Sequence, residues 1–217
     1  SIGPSSLMRV GDRQIGPEHK PFIIAEVAQT HEGSLGNCFA FAEVARDCGA
    51  DAIKFQTHIA AEESTPQEPW RVPFSKQDAS RYDYWRRMEF SFEQWRALKA
   101  HCDQLGIVFM SAPFSLKACE CLRSLDMALW KIASGEIRND QLLDWICSTG
   151  KPMILSTGLA TPDEAKQAVR KVRAAGNDVA LLHCTTCYPT PPEAEGMNVL
   201  QDFIATLPDT VVGLSDH

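Results

Sequence analysis

The segment Lys131-Ile132-Ala133-Ser134-Gly135-Glu136 sets an ammonium, a hydroxyl and a carboxylate close together in the chain. It comes after the apolar run Ala128-Leu129-Trp130 and precedes a helical pattern that begins near Asn139, so it reads as the carboxyl end of a strand. Alternate strand residues face opposite ways, which buries Lys131 unless its face opens onto a cavity. A buried ammonium is costly without an anion beside it. Lys54, in Asp51-Ala52-Ile53-Lys54-Phe55-Gln56, repeats the arrangement. Two cations on inward-facing strand ends call for a dianion such as a phosphate, with Ser111, Ser134, Ser156 and Ser215 as hydroxyl donors. The competing reading neutralises each lysine inside the protein, through Glu26 or Glu136.

Other chemistry-bearing residues carry weaker signals. His217, after Ser215-Asp216, and His31, in Thr30-His31-Glu32-Gly33, stand where metal ligands could stand, but a single histidine is not a metal site. Cys184-Thr185-Thr186-Cys187 is a CxxC at a strand end with no second pair, and it opens no helix, which argues against zinc and thioredoxin-like chemistry. The eight cysteines are scattered through a chain well above disulfide-scaffold size and are expected to be reduced and mostly buried.

The elements that must position these groups have a regular rhythm. Short apolar runs at 22–27, 51–56, 107–111, 128–134, 152–156, 179–185 and 210–214 predict buried parallel strands. Amphipathic stretches near 35–48, 92–105, 115–125, 139–149, 162–175 and 195–206 predict helices between them. Glycines at 49, 106, 150 and 176 come just after helices, and Thr161-Pro162-Asp163-Glu164 is a helix start with Pro at the first position. Alternation of this kind means βαβ units. Nearly every strand ends in polar residues, a pattern that fits a (β/α)8 TIM barrel converging on one mouth better than a doubly wound sheet with one switch point. No Gly-rich dinucleotide fingerprint comes after the first strand.

With 217 residues and 44% hydrophobic content, the chain is read as one barrel domain over 21–217, preceded by an N-terminal hairpin in 1–20 outside the main core. Seven strands against the eight of a closed barrel, with the chain ending at His217, lead to the expectation of a barrel truncated after its seventh strand. From Thr57 to Phe90 a long excursion holds Trp70, Phe74, Tyr82, Tyr84 and Trp85, and reads as a functional loop or subunit contact. A net charge of −7 with no basic stripe excludes a nucleic-acid surface. No stretch has the layout of a signal peptide or the length of a membrane span, so a cytoplasmic protein is expected.

Taken as a set, Ala25-Glu26-Val27-Ala28, His31-Glu32-Gly33-Ser34, Asp51 to His58, Ser111-Ala112-Pro113-Phe114-Ser115 and Lys131 to Glu136 resemble the sialic acid synthase (N-acetylneuraminate synthase) family. Ile154 to Gly158, His183-Cys184-Thr185, Tyr188-Pro189 and Gly213 to His217 continue the match in the same order, from about residue 21 to the last residue. The resemblance implies a TIM barrel that condenses phosphoenolpyruvate with the open-chain aldehyde of an N-acetylmannosamine-type sugar, giving a sialic acid or related nonulosonic acid and phosphate. It assigns phosphoenolpyruvate to Lys54, Lys131, Ser134, Ser156 and Ser215, proton transfer to Glu26 and Glu136, and the sugar to Gln56, Thr186 and Tyr188. His217 matches one of two histidines holding a divalent metal, Mn2+ with Mg2+ as the alternative. The full-length form is implied to be a homodimer, with a C-terminal antifreeze-protein-like domain that reaches a partner's site and has no match here.

Thr30 and Thr186 stand where the family often has Asn, and Ala112 where some members have a phosphate-contacting Thr; these departures point to a different sugar. Two other readings are carried beside this one: a Schiff-base aldolase with Lys131 as nucleophile, and a non-catalytic barrel fragment that binds an anion or a partner chain.

Overall fold

The computed structural model describes residues 7–63, 78, 80–183, 197–207 and 210–214. They fall in two compact units, one over Phe22–Met127 and one made of Ser1–Pro21 with Ala128–His217.

The unit over Phe22–Met127 is built on a parallel sheet of order β3-β4-β5, with β3 at Ile24–Ala28, β4 at Ala52–Thr57 and β5 at Val108–Pro113. Ala52, Ile53, Lys54 and Phe55 are all buried, the continuous burial of a parallel strand covered on both faces. Helices α1 (Leu35–Asp47) and α4 (Phe92–Leu105) connect the strands. In α4, Ser91 and Gln94 form a reciprocal capping box, and Trp95, Leu98 and Cys102 lie on one buried face. Gly106 closes the helix in the left-handed conformation, φ 72°, where a side chain is penalised. Helix α5 spans Leu116–Arg123.

The expected excursion is only partly irregular. It contains α2 (Ala60–Glu63) and α3 (Arg81–Met88), the latter capped by Ser80, whose hydroxyl accepts from Asp83 N. Tyr84, Trp85 and Met88 bury one face of α3 with Ala60, and Tyr82 packs against them. The Pro-rich segment hid this helix, because its cap and its apolar face appear only after Asp78. Trp70 and Phe74 lie outside the described residues.

The other unit holds a parallel sheet of order β6-β7-β8-β9: Trp130–Ile132, Met153–Ser156, Val179–His183 and Val211–Leu214. Helices α6 (Asp140–Cys147), α7 (Pro162–Ala174) and α8 (Met197–Thr206) alternate with these strands. Thr161 caps α7 by accepting from Glu164 N, with Pro162 at the first turn. Strand β6 is shorter than expected because the chain turns at Ala133 into a 3₁₀ turn, Ser134–Glu136, closed by Glu136 N donating to Ala133 O at 2.9 Å.

The hairpin forms as β1 (Met8–Val10) and β2 (Arg13–Ile15), paired antiparallel. Its placement outside the core needs correcting. Met8 and Val10 are each 1% exposed, and Arg9 N donates to Asp178 Oδ2 at 3.3 Å, so the hairpin packs as part of this unit. All seven parallel strands and all six helices expected from the periodicity are present, with ends shifted by at most two residues.

Gly33 sits at φ +78°, and a Cβ built there would lie 2.3 Å from the Arg87 carbonyl oxygen of α3. Gly33→Ala is expected to lower the free energy of unfolding by about 2 kcal/mol or more. A urea midpoint equal to wild type would show that α3 does not pack against this turn.

Candidate functional site

In the unit over Phe22–Met127 the polar residues gather at the carboxyl ends of β3, β4 and β5. Glu26 and Lys54 are register partners, and Lys54 Nζ donates to Glu26 Oε2 at 2.8 Å. The lysine side chain is 9% exposed and the carboxylate 43%, so the ammonium is buried while its counter-ion opens to solvent. For Lys54, therefore, the internal ion pair of the competing reading forms. The β3–β4 ladder slips between Glu26 and Ala28, and Ala28 takes φ 49°; a bulge of this kind re-aims side chains at the end of a strand.

Ser111 is fully buried and shares a 2.7 Å hydrogen bond with Thr57, so its hydroxyl is already engaged inside the sheet. Gln56, half-buried, receives Gln29 Nε2 on its Oε1 at 3.4 Å. The same oxygen lies 3.0 Å from His58 Nε2. Thr30 turns its hydroxyl back to Val27 O at 2.6 Å.

His31 does not behave as a metal ligand. It is fully buried, lies tilted against Phe90 with ring centroids 4.8 Å apart, and its Nδ1 accepts from Gly33 N at 2.9 Å, which leaves the ring proton on Nε2. Burial, and secondarily repulsion from His58, lower its pKa from 6.5 to about 4.

In the unit that contains β6, Lys131 is 4% exposed. Its Nζ donates to Ser156 Oγ at the end of β7 and to Ile132 O at 3.4 Å. Glu136 accepts from Asn139 Nδ2 at 3.0 Å, and Asn139 in turn caps α6. Among the described residues Glu136 is thus engaged by a helix cap, not by Lys131. Ser134 and Glu136 are half-buried on the 3₁₀ turn just after the lysine strand. On the next strands Thr157 Oγ1 and His183 Nδ1 are 3.2 Å apart, both side chains buried.

The structure thus groups Glu26, Lys54 and Gln56 in one unit and Lys131, Ser134, Glu136 and Ser156 in the other. Thr186, Tyr188, Ser215 and His217, with the CxxC cysteines, lie outside the described residues. Cys38, Cys48, Cys102, Cys119, Cys121 and Cys147 are free; Cys38, Cys102 and Cys119 are buried and Cys48 is exposed, so burial is less general than expected. Desolvation pushes the Cys38 and Cys102 thiols up to about 12, which keeps them protonated and inert. Among the described residues no group of three His, Cys, Asp or Glu side chains could hold a metal ion, so these residues alone offer a divalent cation no seat. No described helix is long and apolar enough to cross a membrane.

Thr57, His58, Thr157 and His183 fall in segments that carry the family resemblance but were given no role from the sequence; their position at or just past strand ends was the available signal.

A parallel α/β architecture is shared with N-acetylneuraminic acid synthetase from Leptospira borgpetersenii serovar Hardjo-bovis. The two agree with a TM-score of 0.84 at 26% identity, over 98% of this chain and 70% of that one. N-acetylneuraminate-9-phosphate synthase of Homo sapiens is 31% identical over 99% of this chain and 60% of its own length. N,N'-diacetyllegionaminic acid synthase of Campylobacter jejuni is 33% identical over 91% of this chain and 61% of its own. Residues 41–217 match the NeuB family, and the chain belongs to that family. It spans about three fifths of the length of the curated relatives it matches.

The depressed pKa of His31 makes stability pH-dependent in a defined direction. The unfolded imidazole takes up a proton near 6.5 and the folded one only near 4, so stability is fully present above 6.5 and is lost as pH falls toward 4. The expected loss across that window is roughly 2–3 kcal/mol. Urea midpoints at pH 7.5 and 4.5 measure it, and His31→Asn should flatten the pH profile; an unchanged profile would show that this ring does not control it.

Proposed function

We propose that this chain is the barrel portion of a phosphoenolpyruvate-dependent nonulosonic acid synthase, condensing phosphoenolpyruvate with an N-acetylmannosamine-type sugar aldehyde and releasing phosphate. The observation that carries the reading is a buried Lys131, held by Ser156 at a strand end and succeeded at once by the Ser134–Glu136 turn, in a chain of the NeuB family. An ammonium so placed, with the Ser156 hydroxyl beside it, suits a phosphoryl or carboxylate oxygen. The Leptospira synthetase was crystallised with citrate, itself a polyanion. The seven parallel strands are read as members of an eightfold (β/α) ring.

In this reading Lys54 and Lys131, with Ser134, Ser156 and Ser215, take the anionic groups of phosphoenolpyruvate. Gln56, Thr186 and Tyr188 take the sugar. The enol carbon of phosphoenolpyruvate forms a bond to the aldehyde carbon, water adds at the carbon that bears the phosphate, and the C–O bond to phosphate breaks. Glu26 and Glu136 move the protons. Glu26 suits that role, since its carboxylate opens to solvent while Lys54 holds one oxygen. The same proposal includes a divalent ion, Mn2+ or Mg2+, at His217, and a homodimer of the full-length protein.

The test is manganese-dependent phosphate release from phosphoenolpyruvate by the full-length natural protein, with and without a panel of N-acetylmannosamine-type sugars. Release should require both metal and sugar, and a chelator should abolish it. Lys131→Met is expected to lower kcat/KM for phosphoenolpyruvate by roughly 10²–10³-fold. Phosphate release without sugar, or a Lys131→Met variant as active as wild type, would overturn the assignment. A borohydride-trapped adduct on Lys131 would replace it with the Schiff-base aldolase.

A further inference from the structure

Gln56 is tied to an unusually constrained ring. The His58 imidazole is stacked on both faces, against Trp85 at 3.9 Å and 18° and against Phe114 at 4.1 Å and 17°. Its edges are held as well, Nδ1 by Glu63 Oε1 at 2.8 Å and Nε2 by Gln56 Oε1 at 3.0 Å. Glu63 is itself fixed, because its other oxygen accepts from Ile59 N at 2.9 Å at the start of α2. The ring is 7% exposed, so water does not compete for these contacts.

The two ends of this chain of hydrogen bonds are not independent. A carboxylate only accepts, so Nδ1 carries a proton. If Nε2 also carries one, it donates to the Gln56 oxygen, and Gln29 Nε2 donates to that same oxygen at 3.4 Å. The Gln56 NH2, which has no partner among the described residues, is then left to face a ligand. If Nε2 is bare, the Gln56 amide must turn end for end and give its NH2 to the ring, so that its oxygen faces outward instead. The proton on His58 therefore decides whether Gln56 offers a donor or an acceptor.

We propose that His58 is a positioning residue for Gln56: clamped between Trp85 and Phe114 and anchored by Glu63, it donates from Nε2 to the Gln56 oxygen and presents the Gln56 NH2 to an oxygen of the ligand. That the ligand is the hydroxyl-rich sugar rests on the function proposed above; the hydrogen-bond polarity does not. Three features favour a ring that donates from both nitrogens: its two aromatic faces and the carboxylate. The surrounding groups agree. Glu63 on α2 is the carboxylate against the ring, Glu89 accepts from Ala60 N at 3.1 Å in the same helix, α3 and the segment after β5 contribute the uncharged Trp85 and Phe114, and β4 contributes Gln56. Among the described residues His31 also acts on this site, and it is held neutral by burial first and by repulsion from His58 second.

Long-range proton–nitrogen correlation on full-length protein carrying 15N-histidine reads the ring state directly. Nε2 of His58 should carry a proton in wild type, and Glu63→Gln, which keeps the shape of the anchor, should remove it. An Nε2 without a proton in wild type would overturn the proposal. Kinetically, Glu63→Gln and His58→Phe should raise KM for the sugar by about tenfold while KM for phosphoenolpyruvate stays within about twofold. In a Gln56→Ala background His58→Phe should add nothing, and a full additional loss there would show that His58 does not act through Gln56. Thermal midpoints identify a variant that fails merely by unfolding. If no sugar in the panel is turned over, the synthase reading fails, while the ring nitrogens still decide the inference about His58.

Discussion

A lysine ammonium at the buried end of a parallel strand must find an oxygen, and the local design of both units answers that demand. Parallel strands are covered on both faces, so a polar side chain within them has no route to water except past the carboxyl end of the strand. Lys54 meets the demand with Glu26, its register partner on β3. Lys131 meets it with the Ser156 hydroxyl on β7. Lys54 is neutralised by a carboxylate that solvent also reaches, while the contacts of Lys131 include a neutral hydroxyl and a backbone carbonyl.

Around these lysines the strand ends are specialised by the segments that leave them. The Ser134–Glu136 turn interrupts β6 early and brings a hydroxyl and a carboxylate to the end of the strand, while Asn139 holds Glu136 and caps α6 with the same side chain. After β4 the chain builds two short helices whose main product is an aromatic housing. Tyr84, Trp85 and Met88 close over Ala60, and Trp85 at the same time covers one face of His58. Helices α2 and α3 thus serve to fix a single imidazole two residues beyond a proposed sugar contact.

Much of the fold was legible in the sequence because its signals are local. The seven strands were visible as short apolar runs, and one helix start as Thr161 with Pro162 and Glu164. The excursion was misjudged because α3 owes its stability to the aromatic packing of Tyr84 and Trp85 on Ala60, a contact between distant positions that no window of sequence contains. The hairpin was misplaced for the same reason, since the burial of Met8 and Val10 depends on a surface supplied by residues far along the chain. Of the candidate site, Lys54, Lys131, Glu26 and Ser156 lie on the strands to which they were assigned, and the Lys54–Glu26 pair of the competing reading forms. Glu136, the other counter-ion of that reading, is bound by Asn139, and Ser111, read as a hydroxyl donor to an anion, is held by Thr57.

By itself the sequence determined the βα rhythm, the polar character of the strand ends and the family to which the chain belongs, because periodicity, capping residues and short motifs are properties of neighbouring positions. Only tertiary structure decided which oxygen each lysine takes, that His31 is a neutral buried ring, and that His58 is clamped on four sides. Those outcomes turn on register and on contacts between residues far apart in the chain, where a shift of one position moves a side chain to the opposite face of the sheet.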